Sequence, residues 1–128
     1  MICLLLENGS DSLWALSLSY LMPKSAFVKA NMAYETHIIT EYSDYCFAIK
    51  KKTRTPDVPY GSTFITWTQV VVTDTGNDSC RMVCSVEAEF PNGPPMVGGQ
   101  IKSGMRSGTA QFFVLMGETI CKYADEYP

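Results

Sequence analysis

Arg54-Thr55-Pro56-Asp57-Val58-Pro59-Tyr60-Gly61 is the stretch that decides the fold, because long alternating segments lie on both sides of it. Two prolines, an aspartate and a glycine so close together exclude a helix or a central strand. We therefore predict a structural turn built on Pro56, Asp57, Pro59 and Gly61.

On both sides of this turn, apolar and polar residues alternate with a period of two, which is typical of half-buried antiparallel strands. The segments are 13–20, 27–40, 44–53, 63–73 and 80–90. In the second segment, alternation assigns Val28, Met32 and Tyr34 to the apolar face. It assigns Glu35 and His37 to the opposite, polar face.

From Met96 onward apolar residues recur at steps of three and four, which predicts one amphipathic helix of roughly 25 residues. Glycines in the first half of this segment each cost about 1 kcal/mol relative to alanine in a helix. They predict either a weakened first half or a close approach to a neighbouring backbone or ligand. Strands followed by one helix predict an α+β fold in which the two bury their apolar faces against each other.

The composition indicates a single globular domain with a net charge of −3, which gives no global electrostatic case for nucleic acid. Four of the ten basic residues nevertheless cluster at Lys50, Lys51, Lys52 and Arg54. This cluster is either a solvated strand end or a patch for anionic lipid headgroups. The five irregularly spaced cysteines show no disulfide framework, and free thiols favour an intracellular, reducing compartment.

The chain contains no motif of a known catalytic, metal-binding or phosphate-binding site. Its single histidine, His37, falls on the polar side of its segment. No nucleophile, base and oxyanion donors come together in the sequence, so we predict neither enzymatic activity nor a metal or cofactor.

The predicted apolar faces mix aromatic residues, methionines and hydroxyls, which favours a cavity for an apolar ligand, although a plain core would satisfy composition equally well. The candidate lipid-binding residues are Trp14, Leu16, Leu18, Tyr20, Val28, Met32, Tyr34, Phe64, Met82, Val86, Met105, Phe112 and Met116.

The order of Pro23-Lys24-Ser25, a strand, the motif from Thr53 to Gly61 and then Phe64 resembles the VASt domain, a relative of the StART lipid-transfer fold. Ile101-Lys102-Ser103 with Gly108 is similar to the closing helix of that family. The resemblance covers about residues 13–123. It implies a helix-grip fold, in which a curved antiparallel sheet of about five strands packs on one long C-terminal helix. It also implies a sterol or related lipid held in a hydrophobic cavity and moved between membranes at contact sites of the endoplasmic reticulum.

The resemblance further assigns a lid loop at the cavity mouth, formed by Leu21, Met22, Pro23, Lys24 and Ser25. An apolar tip beside a lysine suits insertion at a headgroup boundary. The expected contacts with an anionic membrane surface are Lys24, Lys29, Lys50, Lys51, Lys52 and Arg54.

A complete family domain has a first strand and a helix pair before this point, together with a neighbouring GRAM domain and a transmembrane anchor. We therefore expect residues 1–12 to be a poorly matched segment and residues 13–126 to be an N-terminally truncated VASt domain. A full-length parent would be membrane-associated at the endoplasmic reticulum, and this chain alone would be cytosolic.

Two alternatives to lipid transfer remain open. The same fold can serve as an adaptor or regulatory domain for protein or membrane contact. An enzyme acting on a hydrophobic substrate would need an acid or base in the cavity, where the predicted faces offer only hydroxyls, thiols and tyrosines.

Overall fold

A computed structural model describes residues 5–8, 14–24 and 28–127, with side chains described from residue 15 onward. The chain divides into two compact units, Met1–Pro95 and Met96–Pro128, and each is described by itself. The predicted packing of the sheet on the helix therefore stays a prediction.

The first unit contains one antiparallel sheet whose strands neighbour each other in chain order. The strands within the described residues are β1 (Leu5–Asn8), β2 (Trp14–Met22), β3 (Asn31–Tyr42), β4 (Cys46–Arg54), β5 (Ile65–Gly76) and β6 (Ser79–Glu89). Together with one C-terminal helix they confirm the α+β class. β1 comes in addition to the five predicted strands, because its four residues are too few to show a period.

Strand β2 is longer than its alternating pattern predicted. Leu21 pairs with Met32 and Met22 pairs with Asn31, so both residues belong to the sheet. Their assignment to the lid loop was wrong, since the strand ends only at Pro23, which lacks the N–H that a ladder needs. Pro23 and Lys24 follow in the connection to β3, whereas Ser25 lies outside the described residues.

The register divides the side chains of the sheet between two faces. One row across β2 to β6 is Leu16, His37, Lys51, Thr68 and Val86. The next row on the same side is Leu18, Glu35, Thr53, Thr66 and Ala88. We call this side the Glu35 face. The opposite side, the Lys52 face, has the row Ser17, Thr36, Lys52, Trp67 and Glu87.

The predicted faces of β3 were wrong. Asn31, Ala33 and Glu35 are the buried residues, whereas Tyr34 is 41% exposed on the Lys52 face. Met32 has the same parity as Tyr34 and therefore also lies on the Lys52 face. Local alternation assigns charged residues to solvent, but here partners on neighbouring strands allow Glu35 to be buried.

Two consecutive turns occupy the stretch after β4. The N–H of Val58 donates to the Thr55 carbonyl (3.3 Å), and the N–H of Gly61 donates to the Val58 carbonyl (2.8 Å). Pro59 stands at the second position of the later turn, and Tyr60 follows with φ of 60°. Proline and then a residue with positive φ define a type II turn. Gly61, which closes this turn, is buried.

The second unit contains the helix α1 (Gly98–Glu126), which is 29 residues long. The helix begins after Val97 without a side-chain cap, and its first turn carries no acidic residue. It is regular through Gly104 and Gly108, so the glycines do not shorten it. None of the helices in the described part of the chain combines the length and the apolarity required to cross a bilayer.

Candidate functional site

A cluster of four polar side chains lies in the middle of the Glu35 face. The Glu35 carboxylate is only 7% exposed. The Tyr20 hydroxyl donates to its Oε1 at 2.9 Å, and Lys51 Nζ lies 3.3 Å from the same oxygen. His37 Nε2 lies 3.2 Å from Oε2. Three strands therefore converge on one carboxylate.

The register explains why these side chains meet. Glu35 and His37 are two residues apart on β3, so their side chains leave the same face. Lys51 of β4 is directly opposite His37, and Tyr20 of β2 is opposite Ala33, one step along the face from Glu35. Residues directly opposite or diagonal across antiparallel strands are close enough for long side chains to interact.

The surroundings fix the charge of Glu35. Burial alone would raise its pKa, but the hydrogen bond with His37, the charge of Lys51 and the hydrogen bonds from Tyr20 and Lys51 lower the pKa to about 2. Burial, the Glu35 charge and the hydrogen bond to Glu35 raise the pKa of Tyr20 to about 12. At neutral pH Glu35 is therefore a carboxylate and Tyr20 is a neutral phenol.

Apolar residues and threonines of the same face lie around the cluster. Leu16 and Leu18 flank it on β2, and Val86 ends the row that contains His37 and Lys51. Thr68, which stands between Lys51 and Val86, is buried at 8% exposure. Apolar side chains beside a few convergent polar groups are the combination that recognises an amphipathic small molecule.

A second buried polar group lies further along β3. Asn31 is 7% exposed, and its Nδ2 donates to the carbonyl of Lys29 at 3.0 Å. Its Oδ1 has no hydrogen-bond partner within the described part of the chain. A buried acceptor without a donor is unfavourable, so Asn31 stands out as a second polar group on this face.

The structure brings part of the predicted lipid-binding set together. Leu16, Leu18, Tyr20, Met82 and Val86 all share the Glu35 face. Met32 and Tyr34 are on the Lys52 face. The side chain of Trp14 is not among those that the structure describes.

The remaining predicted residues lie outside the sheet. Val28 precedes β3, and Phe64 precedes β5 with its ring 6.5 Å from that of Phe90. Met105, Phe112 and Met116 lie on α1, where Phe112 is 51% exposed and the other two are half-buried.

The predicted cationic patch is divided between the two faces. Lys50 and Lys52 lie on the Lys52 face, where their ammonium groups are 4.8 and 5.7 Å from the centre of the Trp67 ring. Arg54 lies on the same face. Lys51 is on the Glu35 face and paired with Glu35, so it is separated from the other three cations, and its role as a headgroup contact stays a prediction. Consecutive residues of a strand point to opposite sides.

Sequence reasoning missed Glu35, His37 and Lys51 as members of one site. The available signal in the sequence was the pair Glu35 and His37, which are two residues apart and have apolar neighbours of the same parity, Ala33 and Ile39. Recognising it requires the pairing of β3 with β2 and β4, which alternation within one strand does not provide.

One antiparallel sheet followed by a single C-terminal helix is the α+β arrangement of a StART-like lipid-binding domain. The family model described as VAD1 Analog of StAR-related lipid transfer domain, abbreviated VASt, matches residues 9–108. The chain belongs to the VASt family, and the resemblance seen in its motifs is confirmed.

Proposed function

We propose that this domain binds a sterol, or a related lipid with a single hydroxyl group, along the Glu35 face. The observation that carries the proposal is the cluster of Tyr20, His37 and Lys51 around the buried carboxylate of Glu35, on a face that also carries apolar side chains. Membership of the VASt family indicates that the ligand is a lipid. The polar cluster is the reason to prefer a lipid with a hydroxyl group.

The apolar body of the lipid contributes most of the affinity. Removing apolar surface from water stabilises a complex by roughly 25 cal/mol per Å². The Glu35 carboxylate can accept one further hydrogen bond from the lipid hydroxyl. A carboxylate offers about four acceptor sites, and Glu35 has three partners. The lipid hydroxyl donates to Glu35 and accepts a hydrogen bond from Lys51, so neither partner is left unsatisfied.

We propose a non-catalytic role for this centre. An efficient general acid or base has a pKa close to the working pH, so that its proton can move in both directions. The pKa of Glu35 at about 2 keeps it ionised and its proton affinity low. The structure does place an acid and a histidine on the apolar face, contrary to the sequence prediction, but this arrangement anchors a hydroxyl better than it transfers a proton.

Membrane contact in this proposal occurs at the end of β2. Leu21 is 63% exposed and Met22 is 36% exposed, and Lys24 follows directly after Pro23. Apolar side chains beside a lysine suit the boundary between headgroups and acyl chains. Lys29, which is also exposed, belongs to the same connection. We propose that this end docks on an anionic membrane inside the cell, at contact sites of the endoplasmic reticulum, and passes the lipid between membranes.

A fluorescent sterol titration tests the proposal with a matched pair of variants on β6. Val86 lies on the Glu35 face, whereas Val83 lies on the Lys52 face and is 47% exposed. Val86→Asp places a charge against the apolar body of the lipid and should weaken binding by about tenfold or more. Val83→Asp makes the same chemical change away from the lipid and should leave the affinity within about twofold.

Both variants are checked by thermal unfolding, so that loss of binding is separated from loss of structure. If Val86→Asp does not fold, Thr68→Asn on the same row provides a milder substitution for the same comparison. Equal affinities of the two folded variants would contradict the assignment of the face. A folded wild-type protein that binds no sterol would favour the adaptor or regulatory role.

A further inference from the structure

The Lys52 face carries a cleft, lined mostly by polar residues, that has no part in the proposed lipid site. Its volume is about 350 Å³, and it is lined by Ser17, Leu18, Ser19, Tyr34, Glu35, Thr36, Lys52 and Arg54. The register assigns the side chains of Leu18 and Glu35 to the opposite face. The six remaining side chains, which we call the Lys52–Arg54 cleft, carry four hydroxyls and two positive charges.

These six side chains form two rows across three neighbouring strands. Ser17 of β2, Thr36 of β3 and Lys52 of β4 make the first row. Ser19, Tyr34 and Arg54 make the second. Neighbouring strands are about 4.8 Å apart, and residues two apart along a strand are separated by about 7 Å. The polar groups thus surround an area of about 10 by 7 Å, which suits one small anion.

The two positive charges of the cleft are not neutralised from within it. Among the described residues, neither Lys52 nor Arg54 forms an ion pair with a carboxylate. Glu35, the acidic residue beside the cleft, directs its carboxylate to Tyr20 and Lys51 on the other face. The Lys52 ammonium stands 5.7 Å from the Trp67 ring, a contact that leaves its N–H donors available.

The carboxylate of Glu89, elsewhere on this face, accepts a hydrogen bond from Trp67. Trp67 Nε1 donates to Glu89 Oε2 at 2.5 Å, which fixes the ring that Lys50 and Lys52 share. Glu87 stands opposite Trp67, two strands away from Lys52. The two positive charges of the cleft stand on β4, and its four hydroxyls stand on β2 and β3.

We infer that the Lys52–Arg54 cleft binds the phosphate of a phosphomonoester. A guanidinium presents a planar fork that matches two phosphate oxygens, and an ammonium adds a point charge. Four hydroxyls provide further donors for the terminal oxygens of a dianion. A site of this size accepts a single phosphate group, in contrast to a broad basic surface that attracts any anionic bilayer. The cleft and the lipid site lie on opposite faces and share no side chain.

The experiment is a titration of the ¹⁵N-labelled protein with inorganic phosphate and with glycerol 3-phosphate, followed by amide chemical shifts. We expect saturable shifts centred on Ser17, Thr36 and Arg54. The double variant Lys52→Ala/Arg54→Ala should weaken binding by about tenfold or more, because charge-assisted hydrogen bonds are lost. The control Lys122→Ala/Arg106→Ala removes the same two charge types from exposed positions of α1 and should change affinity by less than about twofold.

A conservative variant separates geometry from charge. Arg54→Lys keeps the net charge but removes the planar fork, so it should weaken phosphate binding while leaving nonspecific attraction unchanged. Equal effects of the cleft variant and the α1 control would overturn the inference, as would shifts spread evenly over all basic residues. An unchanged Arg54→Lys affinity would overturn it as well.

Vesicles distinguish a lipid headgroup from a free phosphate as the source. If a lipid supplies the phosphate, phosphatidylcholine vesicles containing phosphatidic acid should bind more tightly than those containing phosphatidylserine, and glycerol 3-phosphate should compete. Saturable binding of glycerol 3-phosphate without this vesicle preference would support a soluble phosphomonoester. Equal binding to both anionic vesicles without phosphate competition would overturn the inference. A sterol titration of the cleft variant should be unchanged, so that the two sites fail or succeed independently.

Discussion

Lys51→Met is expected to destabilise the protein by about 3 kcal/mol, because it leaves the buried carboxylate of Glu35 without its positive partner. Removing one member of a buried ion pair costs more than the pair contributes, since the remaining charge stays out of water. Tyr20 and His37 still contact Glu35 in this variant, which places the effect at the lower end of that class. Urea unfolding at neutral pH measures the loss.

The double variant Glu35→Gln/Lys51→Met is the informative control. It removes both charges and should recover a large part of the lost stability, because no uncompensated ion remains. Lys50→Met changes the neighbouring lysine, which lies on the other face and is exposed, and should cost no more than about 1 kcal/mol for its contact with the Trp67 ring. Equal destabilisation by Lys51→Met and Lys50→Met would contradict the buried cluster.

Low pH also disrupts the ion pair of Glu35 and Lys51, because it protonates the carboxylate without a substitution. The pKa of Glu35 is about 2 in the folded protein and 4.5 in the reference state. A carboxyl with a lowered folded pKa contributes stability that is present above its unfolded value and is lost as the pH falls toward its folded value. The contribution of Glu35 should therefore disappear between about pH 4.5 and about pH 2, on the order of 3 kcal/mol. In Glu35→Gln this part of the acid dependence should be absent.

Gly61→Ala is expected to destabilise the protein by about 3 kcal/mol or more, because there is no space for a methyl group at this position. An added Cβ would stand 2.0 Å from the Thr55 carbonyl oxygen and 2.9 Å from that of Val58. Both neighbours are backbone atoms of the double turn, so neither can rotate away. The free energy of unfolding in urea, followed by tryptophan fluorescence, checks this.

Gly104→Ala is the matched control for that experiment. It adds the same methyl group within α1, where an added Cβ would meet no atom within 4 Å. Alanine is favoured over glycine inside a helix by about 1 kcal/mol, so this variant should be as stable as the wild type or more stable. A Gly61→Ala protein that unfolds at the wild-type urea concentration would show that the turn is not closed as described.

Strict alternation was sufficient for strands β4, β5 and β6. Phe47 and Ile49 share a face with Val70, Val72 and Met82, as their parities predicted. Of these segments β6 alternates cleanly between half-buried and exposed residues, whereas β5 is apolar on both faces and β4 carries three consecutive lysines. Pattern and environment agree there because no charged side chain on these three strands is buried.

Strand β3 shows where sequence reasoning ends. Glu35 and His37 look like solvent-facing residues in any local window, and Met32 and Tyr34 look like core. The assignment reverses because Tyr20 and Lys51, far from Glu35 in the sequence, satisfy its charge across two strand pairings. The same pairings create the candidate site. Both the site and the error therefore depend on tertiary register, which has no signature within a single strand.

The most direct test of the account is to locate a bound lipid on the sheet. A photoreactive sterol is crosslinked to the full chain, and the labelled residues are identified by mass spectrometry. We expect labels on the Glu35 face, at Leu18, Thr68 and Val86, and a reduction of those labels by excess unlabelled sterol. Labels concentrated at Ser17, Trp67 and Val83 on the Lys52 face, or labels that excess sterol does not displace, would contradict the assignment of the Glu35 face as the lipid site.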